Sequence, residues 1–368
     1  MFTFCIYQDF FSIILLKEGK MENPVSEKVI ASIKEQIAKD PANKGNYFRL
    51  ANTYAMFKDY DKALELYLQL SSENPEDTVI INSIGSIYFY LAQNAKALEF
   101  FEKAIALKPQ DFSGYMNIAN IHAENQDYDK AFEFFDKAIE KAPENPDLYN
   151  VKANLYQEIG KSKEAIVLYQ KAKEMAPNDF SITVNLAGAY FALNDFEKAL
   201  EFYLEGAKLQ ENDCRTYACI ANTYSVLNDK QKAVEFYEKA IEANPEYYDA
   251  YLCYAMSSQD IQKAKEIFQK VIDIQPQNPR GYIALGNLYF DEKEFDKAIE
   301  FYQIATQKDP INITGFLSIA NTCVILDDIV QALQNYKKAY DICPDDIELM
   351  LLYNDALDEF LKRKIKEK

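Results

Sequence analysis

Apolar residues along this chain recur in paired amphipathic stretches rather than in strict alternation. In YFRLANTYAMF, Tyr47, Leu50, Ala51 and Tyr54 fall at helical spacings on one face, and in YDKALELYLQLSSENP so do Ala63, Leu66, Tyr67 and Leu70. Turn-forming residues such as Lys58-Asp59 and Gln126-Asp127 part the two stretches. An Asn-Pro, Lys-Pro or Ala-Pro step ends the second, because proline cannot continue a helix and disfavours one just before itself. The unit then repeats. Pro41, Pro75, Pro109, Pro143 and Pro177 follow at 34-residue intervals. Glu211 takes the next place, Pro245 resumes the register, Pro276 comes three residues early, and Pro310 and Pro344 return to 34. Ala63, Ala97, Ala131, Ala165, Ala199, Ala233, Ala264, Ala298 and Ala332 keep the same period, and four residues after each stands a Tyr or Phe. A small Ala lets two helices approach closely, and the aromatic fills the wider gap beside it.

These residues resemble the tetratricopeptide repeat, a 34-residue helix–turn–helix with the pattern W-x2-L-G-x2-Y, A-x3-F and P. The Trp place is mostly Tyr here (Tyr47, Tyr115, Tyr149, Tyr217, Tyr251, Tyr282), which is how a chain without Trp keeps the pattern. Nine tandem repeats are identified: 44–77, 78–111, 112–145, 146–179, 180–213, 214–247, 248–278, 279–312 and 313–346. The resemblance implies an all-α, right-handed α-solenoid. The flanking segments read as terminal capping helices, since a repeat array needs closed ends. Residues 21–43 hold the apolar stripe Val29, Ile33 and Ile37, a half-repeat, and residues 347–368 hold an amphipathic helix and a charged tail. Departures are few. Lys152 replaces a usual Leu, His122 and Cys323 replace Tyr, and repeat seven lacks three residues near Ser257–Asp260, a loss expected to fall in the turn between its helices.

Composition narrows the function classes. With 40 Lys+Arg against 58 Asp+Glu, the net charge of −18 opposes phosphate backbones and anionic lipid, so nucleic acid is excluded as a partner class. One His and six irregularly spaced Cys leave no metal cluster, and the cysteines read as reduced thiols of a cytoplasmic protein. No phosphate loop, G-x-S-x-G or H-E-x-x-H occurs, so no catalytic residue, metal or cofactor is assigned and the chain reads as a non-enzyme. Residues 1–20 differ from the rest. Their apolar run Phe10–Leu16 is far short of the about 20 residues of a membrane span, so they are expected to form a disordered tail, with a hydrophobic anchor over 1–16 as the competing reading.

In this family the first helix of each repeat lines a concave groove, at positions 2, 5, 6, 9, 12 and 13, and ligands are extended or helical peptides. Position 9 here holds Asn52, Asn120, Asn154, Asn222, Asn287 and Asn321. An amide both donates and accepts, so such a ladder suits a peptide main chain. Arg49, Arg215 and Arg280 fall at groove positions 6, 2 and 2, and a guanidinium forks onto a carboxylate as Lys cannot. Relatives that clamp a C-terminal carboxylate place Lys, Asn, Asn, Lys and Arg along three repeats. The matching places here are Asn150, Asn154, Asn185, Arg215 and Cys219, a partial clamp lacking the first Lys and last Arg. Toward the C-terminal half the groove positions become apolar, with Val184, Phe191, Leu252, Met256, Ile283, Phe290, Leu317 and Val324. The expected function is therefore a non-enzymatic scaffold that binds peptide segments or helices of partner proteins. A membrane-associated assembly factor, a regulatory subunit of an enzyme complex, and burial of the apolar face in a homo-oligomer are the competing readings.

Overall fold

The structure, a computed structural model, describes residues 24–366. The apolar run and candidate anchor within residues 1–20 lie outside these. Among the described residues every regular element is an α-helix. Helix α1 (Pro24–Lys39) precedes nine helical repeats, each a first helix A and a second helix B: α2 (Lys44–Met56) and α3 (Tyr60–Glu73), α4 (Thr78–Tyr90) and α5 (Asn94–Leu107), α6 (Phe112–Glu124) and α7 (Tyr128–Lys141), α8 (Pro146–Glu158) and α9 (Ser162–Met175), then α10 (Phe180–Ala192) and α11 (Phe196–Leu209). The series continues with α12 (Cys214–Val226) and α13 (Lys230–Ala243), α14 (Tyr248–Ser257) and α15 (Ile261–Ile274), α16 (Pro279–Asp291) and α17 (Phe295–Lys308), then α18 (Ile313–Ile325) and α19 (Ile329–Ile342), before α20 (Ile347–Lys366). The chain forms two compact units divided between Asp195 and Phe196, so α1–α10 build the first and α11–α20 the second. Within each unit a helix A packs on its following helix B, that helix B packs on the next helix A, and successive A helices also touch.

Two backbone devices repeat with the sequence. The turn from A to B carries a left-handed residue at position 15: Lys58, Ala92, Gln126, Gly160, Asn194, Asn228, Lys293 and Asp327. Each turn closes with the next amide reaching back five residues, as in Asp59 N–H to the Tyr54 carbonyl at 2.8 Å and Asp127 N–H to the His122 carbonyl at 2.8 Å. That bond satisfies a carbonyl the helix end would otherwise leave orphaned. The turn from B to the next A uses proline as its second residue. Asp77 N–H bonds the Asn74 carbonyl across Pro75, and Asn145 N–H bonds that of Ala142 across Pro143. Proline's fixed φ suits that place. Asp or Asn then caps the following helix, with Asp77 Oδ1 accepting from the Val79 and Ile80 amides. Where Glu211 replaces proline, Asn212 takes a left-handed conformation instead.

Repeat seven departs from both patterns. Contrary to the sequence expectation, its missing residues come out of helix A and not out of the turn: α14 has 10 residues where the other A helices have 13, while residues 258–260 span the turn as 57–59 do in the first repeat. It has no left-handed residue at its turn. Ser258, in extended backbone, ends the helix with a single bond to the Ala255 carbonyl. Tyr247, where the other repeats place Asp or Asn, gives α14 no side-chain cap.

The core follows the alanine–aromatic period. The nine alanines from Ala63 to Ala332 are at most 2% exposed, and the aromatics four residues on, from Tyr67 to Tyr336, at most 6%. The facing residue of helix A within each unit is small: Ala51, Ala119, Ala153, Ala221, Ala255 and Ala320, or glycine. At Gly85 and Gly286 the approach is closer still, and a Cβ would lie 2.5 Å from Phe101 and 2.6 Å from Tyr302.

The left-handed positions make a direct prediction, since seven of these eight residues are not glycine and an L side chain is strained there. Ala92→Gly relieves that strain at φ 56° and is expected to raise the urea midpoint, by about 0.5–1 kcal/mol of stability. Gly160→Ala, at φ 76°, is expected to lower it by a similar amount. A lowered midpoint for Ala92→Gly, or a raised one for Gly160→Ala, followed by far-UV circular dichroism, would contradict the strain argument.

Candidate functional site

The asparagines at position 9 are fixed from beneath by the core. Tyr67 donates its hydroxyl to Asn52 Oδ1. The same bond joins Tyr169 to Asn154 (2.6 Å), Tyr237 to Asn222 (2.6 Å), Tyr302 to Asn287 (2.8 Å) and Tyr336 to Asn321 (2.6 Å). Burial raises the phenol pKa of Tyr67, Tyr237, Tyr302 and Tyr336, so each hydroxyl keeps its proton and needs an acceptor. The amide oxygen supplies it. Each of these five asparagines therefore turns its Nδ2 donors away from the core. Asparagines that read in the sequence as both donors and acceptors thus present N–H donors, Asn52 and Asn154 in the first unit and Asn222, Asn287 and Asn321 in the second. Asn120 is the exception: it faces Phe135, and its side chain makes no hydrogen bond among the described residues.

Three of the candidate clamp residues come together in the first unit. Asn185 Nδ2 donates to Asn150 Oδ1 at 3.1 Å and to Asn154 Oδ1 at 3.2 Å, so Asn154 Oδ1 accepts from both Tyr169 and Asn185. Two neighbouring A helices, α8 and α10, are thus tied by amides whose remaining N–H groups belong to Asn150 and Asn154. The other two candidates, Arg215 and Cys219, lie one turn apart on α12 in the second unit. Cys219 is not a substitute for the missing arginine. Burial pushes its thiol up to about 11, so it is neutral at physiological pH. Cys214 and Cys323 are also raised by burial, and Cys214, Cys219, Cys323 and Cys343 are free thiols.

The three groove arginines differ. Arg49 donates to Gln36 Oε1 of α1 at 3.0 Å. Arg280 pairs with Asp249 at 3.1 Å and lies over the Tyr248 ring. Arg215 is exposed and has no carboxylate partner among the described residues.

The apolar stretch is split by position. Residues at position 5 turn into the seam between neighbouring A helices. Leu252 is consequently core, packed in one cluster with Tyr237, Tyr254 and Phe268, and is not a groove residue. Ile283 and Leu317 are half-buried against the same kind of seam, and Val184 is half-buried on α10. Of the apolar groove candidates in the second unit, Met256 (53% exposed) and Val324 (48%) face outward, and Phe290 is half-buried against Phe295 at 5.5 Å between ring centres. Phe191 is half-buried at the end of α10.

Two departures from the repeat pattern are absorbed structurally. Lys152, buried at a place that usually holds Leu, reaches Asp136 of the preceding helix B at 2.5 Å and runs past the Phe132 ring. The long alkyl stem replaces the Leu, and the charge escapes at its end. His122 stacks on Phe134 at 5.7 Å and sets Nδ1 3.5 Å from Asp127, with no second catalytic partner. Among the described residues no group of His, Cys, Asp and Glu could hold a metal ion. The Tyr–Asn bond was missed by sequence reasoning, although a signal existed: two of the three repeats with Phe below position 9 hold Ser86 or Met256 there rather than Asn.

Two outcomes test this geometry. Phe101→Tyr alone buries a hydroxyl above Ser86 and is expected to cost about 1–3 kcal/mol. Adding Ser86→Asn supplies the missing acceptor, and a double-mutant cycle should then show coupling of at least about 0.5 kcal/mol. Cys219 should be alkylated by iodoacetamide at pH 8 at least about 100-fold more slowly in the folded chain than in urea, because only about one thiol in a thousand is ionised there. Equal rates by mass spectrometry would show the thiol to be open.

Models of the tetratricopeptide repeat match residues 46–77, 80–111, 111–178, 158–218, 215–247 and 255–311. Among curated proteins no sequence matches. Among solved structures the chain is similar to yeast Tom70, at 14% identity and TM-score 0.56, over 93% of this chain and 96% of that one. It is also similar to a tetratricopeptide repeat protein from Parabacteroides merdae, at 19% identity and TM-score 0.55, over 67% and 99%. The C-terminal part of a repeat protein from Cytophaga hutchinsonii matches at 19% identity and TM-score 0.50, over 65% and 99%. At these identities the likeness is one of fold. The repeat models, the helix–turn–helix period and these neighbours agree that the chain belongs to the tetratricopeptide repeat family.

Proposed function

We propose that this protein is a non-enzymatic interaction scaffold whose A helices bind extended peptide segments of partner proteins in the cytoplasm, with no cofactor and no nucleic acid. Family membership supports the scaffold role in general. The observation that carries the finer reading is the orientation of the asparagine ladder. With their Oδ1 atoms held by tyrosine, Asn52 and Asn154 offer N–H donors on the first unit, and Asn222, Asn287 and Asn321 offer them on the second, where α12 also carries the unpaired Arg215. Such a surface accepts main-chain carbonyls and carboxylates and discriminates against N–H-rich cationic segments. Met256, Phe290 and Val324 add an apolar surface for the ligand's side chains.

No described helix is long and apolar enough to cross a membrane, and the candidate anchor in residues 1–16 lies outside the described residues. Membrane attachment therefore has no observation in its favour, and neither has a role as an enzyme's regulatory subunit.

The test is selection of random dodecapeptides with free C-terminal carboxylates on the full chain. Enriched peptides are expected to carry Asp or Glu beside Leu or Met. Arg215→Ala, or amidation of the peptide's C-terminus, should weaken binding by about tenfold or more, the loss of one charge-assisted hydrogen bond. Equal affinity for the wild type and an Arg215→Ala/Phe290→Ala variant would rule the reading out.

A further inference from the structure

The last helix, α20, has two opposite faces. Leu349, Leu352, Tyr353 and Ala356 point inward onto α19, where Tyr353 stacks on Tyr340 at 5.8 Å. The far end is held too. Arg363 pairs with Asp327 in the turn between α18 and α19 at 2.7 Å, which draws the Asp327 carboxyl below the usual range, and with Glu359 at 3.0 Å. The helix is thus a fixed rod about 30 Å long. Its outer face carries Ile347 (69% exposed), Leu351 (54%), Leu361 (47%) and Ile365 (74%), with the exposed Asn354 and Asp358 between them.

These six residues are spaced 4, 3, 4, 3 and 4 apart, the seam of a two-helix coiled coil. They are also palindromic about Ala356. Ile347 mirrors Ile365, Leu351 mirrors Leu361, and Asn354 mirrors Asp358. A two-fold axis requires such self-complementarity, since residue i on one copy meets residue j on the other and j meets i. Charge runs the same way. Glu348, Asp355, Asp358 and Glu359 lie toward the start and middle of the helix, and Lys362, Arg363 and Lys364 lie toward its end. Antiparallel pairing sets the acidic start of one helix beside the basic end of the other.

We infer that this face binds a second copy of the same chain, α20 against α20 in antiparallel register about Ala356. Leu351 then packs on Leu361 of the other copy, Asn354 donates to Asp358 of the other copy, and Glu348 lies beside Lys362. The central Asn–Asp pairs fix the register, as a polar residue in an apolar seam does. This inference is independent of what the A helices bind.

Sedimentation equilibrium of the full chain from roughly 1 to 200 µM, a range that spans weak and standard interfaces, tests it. The expected species is a dimer, twice the 42.4 kDa chain. Leu351→Glu and Leu361→Glu each lie on the outer face, leave helix content unchanged by circular dichroism, and should weaken the dimer at least about tenfold. Glu348→Lys and Lys362→Glu should each weaken it, more at low salt, and the double swap should restore it, which separates antiparallel from parallel pairing. A chain that stays monomeric throughout, including one whose outer face serves a different protein, overturns the inference. So does a dimer indifferent to Leu351→Glu, or a double swap that fails to rescue.

Discussion

One contact closes each repeat that lies within a single unit: a residue with little or no side chain on helix A lies against a buried aromatic of helix B. The distance is short because Ala or Gly stands at the eighth position, and at Gly85 and Gly286 not even a methyl group fits. This contact sets more than the stability of the pair. Where the aromatic is tyrosine, its hydroxyl emerges beside the ninth residue of helix A, one place beyond the small residue. The hydroxyl is buried and protonated, and it needs an acceptor. Close packing thereby decides which atom of an asparagine faces outward, and with it the polarity of the surface. The core and the candidate binding face are two ends of the same side chain.

Much of the fold was legible because its signals are local and periodic. Proline at i+1 of the inter-repeat turn and alanine at the close contact act within one repeat, so each recurs at the fold's own period. Other features were hidden because they depend on atoms that sequence spacing does not order. Leu252 counts as a groove residue by position but lies in the core, since the fifth position turns into the seam between neighbouring A helices. Lys152 reads as a defect in the pattern and proves to be a Leu-like stem with an ion pair at its tip. The six asparagines were found by position, yet their direction was not, because an amide written in one letter has no orientation.

Repeat seven shows how the array tolerates a lost turn. A solenoid's stability is close to a sum of repeat and neighbour terms, so a weakened unit must be offset locally or through its immediate neighbours. Helix α14 lacks its last turn and its left-handed closure, features of all the other repeats, and the side-chain cap that all of them but the first possess. Burial around it is correspondingly large. Tyr248, Leu252 and Tyr254 from the short helix pack with Ile267, Phe268, Val271 and Ile272 of α15, and with Tyr237 before and Tyr282 and Leu285 after. One small residue used elsewhere is replaced by a larger apolar one: Val271 stands where other repeats have Ala or Gly at the equivalent place on helix B, except for Leu70 in the first. At about 1.5–3 kcal/mol for each large apolar side chain taken out of water, one such residue offsets the loss of a cap and a closing turn worth about 1 kcal/mol apiece. The burial of Leu252 is then part of how the shortened helix is kept in place, and the apolar surface left for a ligand there falls to Met256 alone on α14.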